Sequence, residues 1–249
     1  MMDNTMRFSF ADTLSLKVAF AFGYFSLAYL IFFFSLHATA LKDRFERLPI
    51  VQNNKIPFIY CIRFLGFILL GFIPIIVYSG IGGVPVEDLG LRLPAGNHAG
   101  FWWLVPIALF LLGIGLRSGK NINTNLYPQA RFETWSIGNL VMNGVTWTVY
   151  LIGYEIAFRG FLFFPLVDAI GLLPAIMINC AIYSISHIPK GAGEAFGAFF
   201  LGILFCVIAY QTGSIMIPLV LHILLAVSND WKAILVNQGM TIQKKRKRP

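Results

Sequence analysis

Glu155 and Arg159 lie four residues apart in the stretch Tyr154-Glu155-Ile156-Ala157-Phe158-Arg159-Gly160-Phe161, within a long apolar run. Glutamate followed by arginine at i+4 on a helix is the favourable order for an ion pair. A charged side chain deep in lipid costs roughly 3 kcal/mol or more unless it is paired or wet, so charges at such depth need a purpose. That purpose is either a buried pair that fixes helix packing or a carboxylate held ionised for proton transfer. Two of the four histidines, His187 and His222, also fall inside apolar segments, and Tyr183 precedes His187 by one turn. A lone histidine on an apolar helix is usually a packing residue. Two of them with a glutamate supply a general acid or base, an imidazole to position water, and donors for a developing oxyanion. Two imidazoles and a carboxylate also make a plausible zinc shell, although the HExxH spacing that puts both histidines on one helix is absent.

Two more polar residues belong with this set. Asn229 follows His222 by seven residues, two turns on and on the same helix face, with Asp230 next to it. Glu194 follows His187 by seven, but Pro189, Gly191 and Gly193 break the helix between them. Glu194 reads first as a helix N-terminal carboxylate favoured by the dipole, and second as a catalytic group. No serine or cysteine sits in an evident nucleophile setting.

The elements that carry these residues are membrane helices. The chain is 57% hydrophobic and 12% charged, with a mean hydropathy of +0.74. Soluble domains carry about 25% charged residues, so this chain lies outside that class. Its apolar residues come in blocks of about 20, the length that crosses a hydrocarbon core. The short alternating segments of a transmembrane barrel are absent. The reading is an all-α, polytopic transmembrane helix bundle of about seven spans.

The spans fall at about 14–36, 57–78, 99–116, 136–158, 173–187, 194–210 and 214–235. Pro57 opens the second. Arg63 lies close enough to its basic end to snorkel. In the fourth, Asn139, Asn143, Trp147, Tyr150 and Tyr154 share one face, which suits a bundle interior or a wet cavity and not lipid. A linker with Pro165 and Asp168 is expected over 160–172. Gly197 and Gly202 allow close helix approach in the sixth span. The chain divides into N-terminal helices and loops (1–135), a helical core (136–235) and a basic tail (236–249). No internal repeat is visible, and no soluble domain fits in the loops.

The net charge is +8. Much of it sits in loops and in the tail Lys244-Lys245-Arg246-Lys247-Arg248. That pattern marks a cytoplasmic anchor beside anionic membrane lipids, not nucleic-acid binding. With the basic loops cytoplasmic, the C-terminus is cytoplasmic and the N-terminus is outside, in what reads as a bacterial inner membrane. Residues 1–12 are too polar to open a cleavable signal, so the first span reads as retained. Cys61, Cys180 and Cys206 show no CxxC spacing and read as reduced, buried small side chains.

Tyr154-Glu155-x-x-x-Arg159-Gly160, then Tyr183-x-x-x-His187, then Thr212-Gly213-Ser214-Ile215 leading to His222, resembles the CPBP family of intramembrane proteases, which includes the CAAX-processing endopeptidases and bacteriocin-maturation or immunity proteins. Asp88-Leu89-Gly90-Leu91-Arg92 is similar to a common preface in that family. The resemblance implies a Glu-Glu-x-x-x-Arg motif whose first Glu activates water, a Phe-x-x-x-His motif that assists it, and a last His followed four residues later by an oxyanion-binding Asn. By this resemblance Glu155 is the second Glu and pairs with Arg159, and His187 and His222 are the two histidines. The chain departs at Tyr154, in place of the water-activating Glu, and at Ala226, in place of the Asn. A phenol is a poor base at neutral pH. Either the activity is lost or the roles have moved, with Glu155 or Glu194 taking over water activation and Asn229, one turn further along the same face, replacing the missing donor.

The expected function is an endopeptidase that hydrolyses a peptide bond of a membrane-associated peptide or protein, with no cofactor or with a divalent metal such as zinc. Two rivals stand beside it. One is an inactive membrane scaffold or immunity-type peptide-binding protein of the same fold. The other is a small transporter with a proton relay, against which the absence of an inverted repeat counts.

Overall fold

The computed structural model describes residues 13–81, 83–95 and 122–243, together with 106, 109, 110 and 113. Most of the expected third span, residues 1–12 and the basic residues from 244 onward therefore lie outside the described residues.

Length and apolar composition make five of the described helices able to cross a membrane. We label the helices that matter here α1 (Thr13–His37), α2 (Phe58–Gly80), α3 (Ile137–Ile170), α4 (Leu172–Ser186), α5 (Ala192–Thr212) and α6 (Met216–Val236). Of these, α4 is the shorter one. The chain is a polytopic, all-α transmembrane helix bundle, joined at one end by a small parallel ribbon of Thr134–Trp135 with Thr241–Ile242. The outer helix faces are apolar, with Leu27, Phe34, Leu173 and Phe200 among the exposed side chains.

Pro57 stands at the N-cap of α2, as expected, where its missing N–H costs nothing. Ser136 caps α3, its hydroxyl accepting from the Asn139 amide at 3.1 Å. The residues of 160–172 do not form a linker. The helix runs on from Glu155 through a π-helical segment, Ile156–Phe163, and a further α-helical segment, Phe164–Ile170, before Gly171 ends it. Pro165 is tolerated because it falls in the first turn of that segment. The wide turn frees backbone groups, and Asn179 of α4 meets one of them, donating from Nδ2 to the Phe158 carbonyl at 2.6 Å.

Helices α2 and α3 touch through glycine. A Cβ on Gly71 would lie 2.7 Å from the Cα of Gly153, so neither position admits a side chain without parting the two backbones. Gly202 of α5 plays the expected part against Cys180 and Tyr183 of α4. Gly197 does not, because a Cβ there would meet no atom within 4 Å. Cys180 and Cys206 are buried free thiols, whereas Cys61 faces outward.

Arg63 does not snorkel. It is 1% exposed, deep between α2, α3 and α6. Its guanidinium donates to Asn143 Oδ1 at 2.8 Å, Thr146 Oγ1 at 2.9 Å and Gln129 Oε1 at 3.1 Å, and lies 3.5 Å from Asp230 Oδ2. Asp230 Oδ2 also accepts from Asn143 Nδ2 at 2.8 Å and Trp147 Nε1 at 2.6 Å. The Trp147 ring lies under the Arg63 charge at 4.0 Å. A fully buried cation finds an anion and a ring face here, which removes any drive to reach water.

The Asp88–Arg92 segment folds back onto the turn between α5 and α6. Gly90 O accepts from the Ile215 amide at 3.0 Å, Arg92 O from Ser214 Oγ at 2.6 Å, and Arg92 Nε donates to Gly213 O at 2.7 Å. Gly213 has φ +59, and a Cβ there would collide with the Arg92 guanidinium, so the turn requires glycine. The two stretches that resemble a family pattern are thus one contact in space.

Candidate active site

Glu155 ends the regular part of α3 and is 0% exposed, as is Arg159. Arg159 Nη1 lies 3.3 Å from Glu155 Oε2, which is the expected ion pair. The rest of the guanidinium meets aromatic faces, Tyr183 at 4.4 Å and Phe205 at 5.1 Å from its centre. The other carboxylate oxygen, Oε1, sits 2.6 Å from Nδ1 of His222. A carboxylate oxygen only accepts, so Nδ1 carries the hydrogen and Nε2 is the nitrogen left for other partners. Spacing along the chain could not reveal this bond, because it joins α3 to α6.

His187 ends α4 as its C-cap residue and is 7% exposed. Its Nδ1 lies 2.8 Å from the Tyr183 carbonyl. That carbonyl can only accept, so Nδ1 again carries the hydrogen and Nε2 has lone-pair character when the ring is neutral. Among the described residues, no hydrogen bond reaches Nε2 of either histidine.

Tyr154, at the position where the family pattern has its first Glu, is bonded away from any basic role. The Ser186 hydroxyl donates to Tyr183 O at 2.7 Å, so its oxygen accepts from the Tyr154 O–H, 2.8 Å away. Tyr154 packs its ring against His222, with centroids 5.5 Å apart.

These groups surround a cavity of about 610 Å³, within the usual range for a ligand pocket, about 300–1,000 Å³. His187, Glu194, His222, Asn229 and Tyr154 all border it, with Trp147, Tyr150, Leu151, Leu201 and Leu225 as apolar wall. Glu155 and Arg159 are not among its lining residues and stand behind the His222 wall. Asn229 faces the cavity as its spacing from His222 implies, and Ala226 borders it without a polar group. Asp230, its neighbour, turns the other way to Arg63.

Glu194 lies in the first turn of α5, as its position after Gly193 predicts, and also borders the cavity. Tyr127, from the segment before the ribbon, donates its hydroxyl to Glu194 Oε2 at 2.9 Å. Burial first, and then the Glu194 carboxylate, push the Tyr127 phenol far above its usual pKa, so it stays a neutral donor. Lys190, on the short turn Ile188–Lys190, also borders the cavity, with its pKa lowered by burial and partly restored by Glu194. The sequence signals for Tyr127 and Ser186 are weak. One comes from a polar loop remote in the chain, and the other is an ordinary small residue beside a histidine.

The residues present do not fit a zinc shell. Among the described residues no group of three His, Cys, Asp or Glu side chains is arranged to hold a metal ion. The nearest carboxylate to His222 spends its contact on the imidazole itself. What the arrangement offers is a carboxylate, an imidazole nitrogen without a hydrogen-bond partner among the described residues, a second imidazole and an amide around one apolar cavity.

A helical membrane core with such a cavity defines the class, a polytopic membrane protein with polar and titratable side chains around an internal cavity. Residues 134–228 match the family model described as Rce1-like, type II CAAX prenyl endopeptidase Rce1-like, so this core of the chain is similar to that family. The match covers Tyr154, Glu155, Arg159, Tyr183, His187 and His222 and ends one residue short of Asn229. No curated protein and no solved structure matches the chain.

Proposed function

We propose that the protein is a membrane-embedded endopeptidase that hydrolyses a peptide bond of a membrane-associated peptide or protein. The observation that carries this reading is the convergence of Glu194, His187 and His222 on one cavity, with a carboxylate still present although Tyr154 fills the expected position. Glu194 and Nε2 of His187 take a water between them. Glu194 accepts its proton, the hydroxide attacks the carbonyl carbon, and the proton passes to the leaving amine. Asn229 donates to the oxyanion, and so does Nε2 of His222 when its ring is protonated. Glu155 holds His222 in orientation and Arg159 holds Glu155. The basic stretches 42–55 and 117–131 and the basic tail favour a cytoplasmic C-terminus in a bacterial inner membrane, with lipid against the apolar helix faces.

The test is cleavage of a quenched fluorescent peptide library by purified protein. His187→Ala should lower the rate by about 10²–10⁴-fold at unchanged thermal stability. Full cleavage by that variant contradicts the reading.

A second reading has its own support. The Tyr154 hydroxyl is committed to Ser186 and Ala226 offers no donor, which suits a peptide-binding scaffold or immunity-type protein that does not cut. Saturable peptide binding by the wild type without any cleavage favours that reading.

A further inference from the structure

Glycine in a helix interior is destabilising relative to alanine, so each instance needs a reason. In this bundle Gly66, Gly71, Gly153, Gly160 and Gly202 have one, because a Cβ at each would press on a neighbouring helix or segment within about 3.1 Å. Gly197, inside α5, and Gly193, in its first turn, have none of that kind. A Cβ at either meets no atom within 4 Å. Gly23 and Gly144 are equally unhindered, but neither borders the cavity, whereas Gly193 and Gly197 both do. One turn apart, they flatten the face of α5 on either side of the Glu194 turn. A second observation points to an occupant of this cavity. His187 is 7% exposed and borders it, with Nδ1 taken by Tyr183 O and no hydrogen bond to Nε2 among the described residues.

We propose that Gly193 and Gly197 are the seat of the substrate backbone, an extended apolar peptide segment whose main chain lies against the bare face of α5. Its side chains turn to the wall of Trp147, Tyr150, Leu151 and Leu201. Without a Cβ the α5 backbone is approached closely, and the bond to be cut is brought level with Glu194. A side chain at Gly197 fills the space that the peptide takes. The identity of the occupant as a peptide rests on the endopeptidase reading, but the seat is tested by binding alone.

The experiment measures saturable binding of a dansyl-labelled heptapeptide of leucine and alanine to the full chain in detergent, alongside cleavage and thermal unfolding. Gly197→Leu should weaken binding by more than about tenfold, the order of effect of a misfit in an apolar pocket, and Gly197→Ala by less. Gly197→Ala should unfold no earlier than wild type, since its added Cβ meets no atom within 4 Å, and the unfolding curve of Gly197→Leu separates lost binding from lost fold. Gly23→Leu, outward on α1, should bind as wild type does. Wild-type affinity in Gly197→Leu overturns the proposal. So does an equal loss in Gly23→Leu, or a wild type that binds no peptide. Binding that follows this pattern with no cleavage leaves the seat standing and removes the endopeptidase reading instead.

Discussion

His222 Nδ1 lies 2.6 Å from Glu155 Oε1, while Arg159 Nη1 lies 3.3 Å from the other oxygen of the same carboxylate. Glu155 is therefore shared between an imidazole at the cavity and a guanidinium behind it. In the proposed mechanism its part is to hold, and the group that acts on water is Glu194, which borders the cavity.

That sharing makes Glu155 costly to lose. Glu155→Gln leaves Arg159 buried without a counter-charge, and removal of one partner from such a pair costs about 3–5 kcal/mol. Thermal unfolding in detergent should show the loss. Glu155→Leu combined with Arg159→Met should be much milder, because both desolvated charges disappear together. Equal damage from the single and double changes contradicts this.

The Asp230 cluster makes a similar demand further along the contact between α3 and α6. Trp147→Phe keeps most of the ring and removes the indole donor to Asp230 Oδ2. A hydrogen bond to a charged group contributes about 1.5–3 kcal/mol, so the variant should unfold earlier by that order. Stability equal to wild type shows that Asn143 and Arg63 alone satisfy the carboxylate.

Helix contact gives a third expectation. Gly153→Ala places a methyl 2.8 Å from the Cα of Phe67, and overpacking of a tight contact costs about 1–3 kcal/mol. Gly144→Ala, on the same helix with open space around it, should be neutral or gain up to about 1 kcal/mol in helix propensity. Unfolding curves of the two variants decide between them, and loss in both would show that α3 tolerates no change at either glycine.

Much of the fold was legible because lipid imposes blunt rules. Apolar blocks of the right length gave the described spans, and the Asn143 to Tyr154 face pointed inward as a semi-polar stripe must. The i, i+4 pair of Glu155 and Arg159 was readable for the same reason, since it depends on one helix. The site was less legible where contacts cross between helices. Arg63 read as a snorkelling residue because its partner Asp230 is 167 positions away. The 160–172 stretch read as a linker because Pro165 normally breaks a helix, and nothing local announces a π-helical turn or the Asn179 amide that satisfies it. Gly197 read as a packing glycine, since spacing cannot tell a glycine against a helix from a glycine against a cavity. The Tyr127 bond to Glu194 was hidden in a loop outside the recognisable motifs.

The central claim is that Glu194 does the work of the carboxylate missing at position 154. The most direct measurement is the cleavage rate of Glu194→Gln beside that of the double variant Tyr154→Glu with Glu194→Gln. Loss of a general base lowers the rate by about 10²–10⁴-fold. Glu194→Gln should show that loss with unchanged unfolding temperature, and a carboxylate placed at 154 should restore part of the rate. Wild-type cleavage by Glu194→Gln contradicts it.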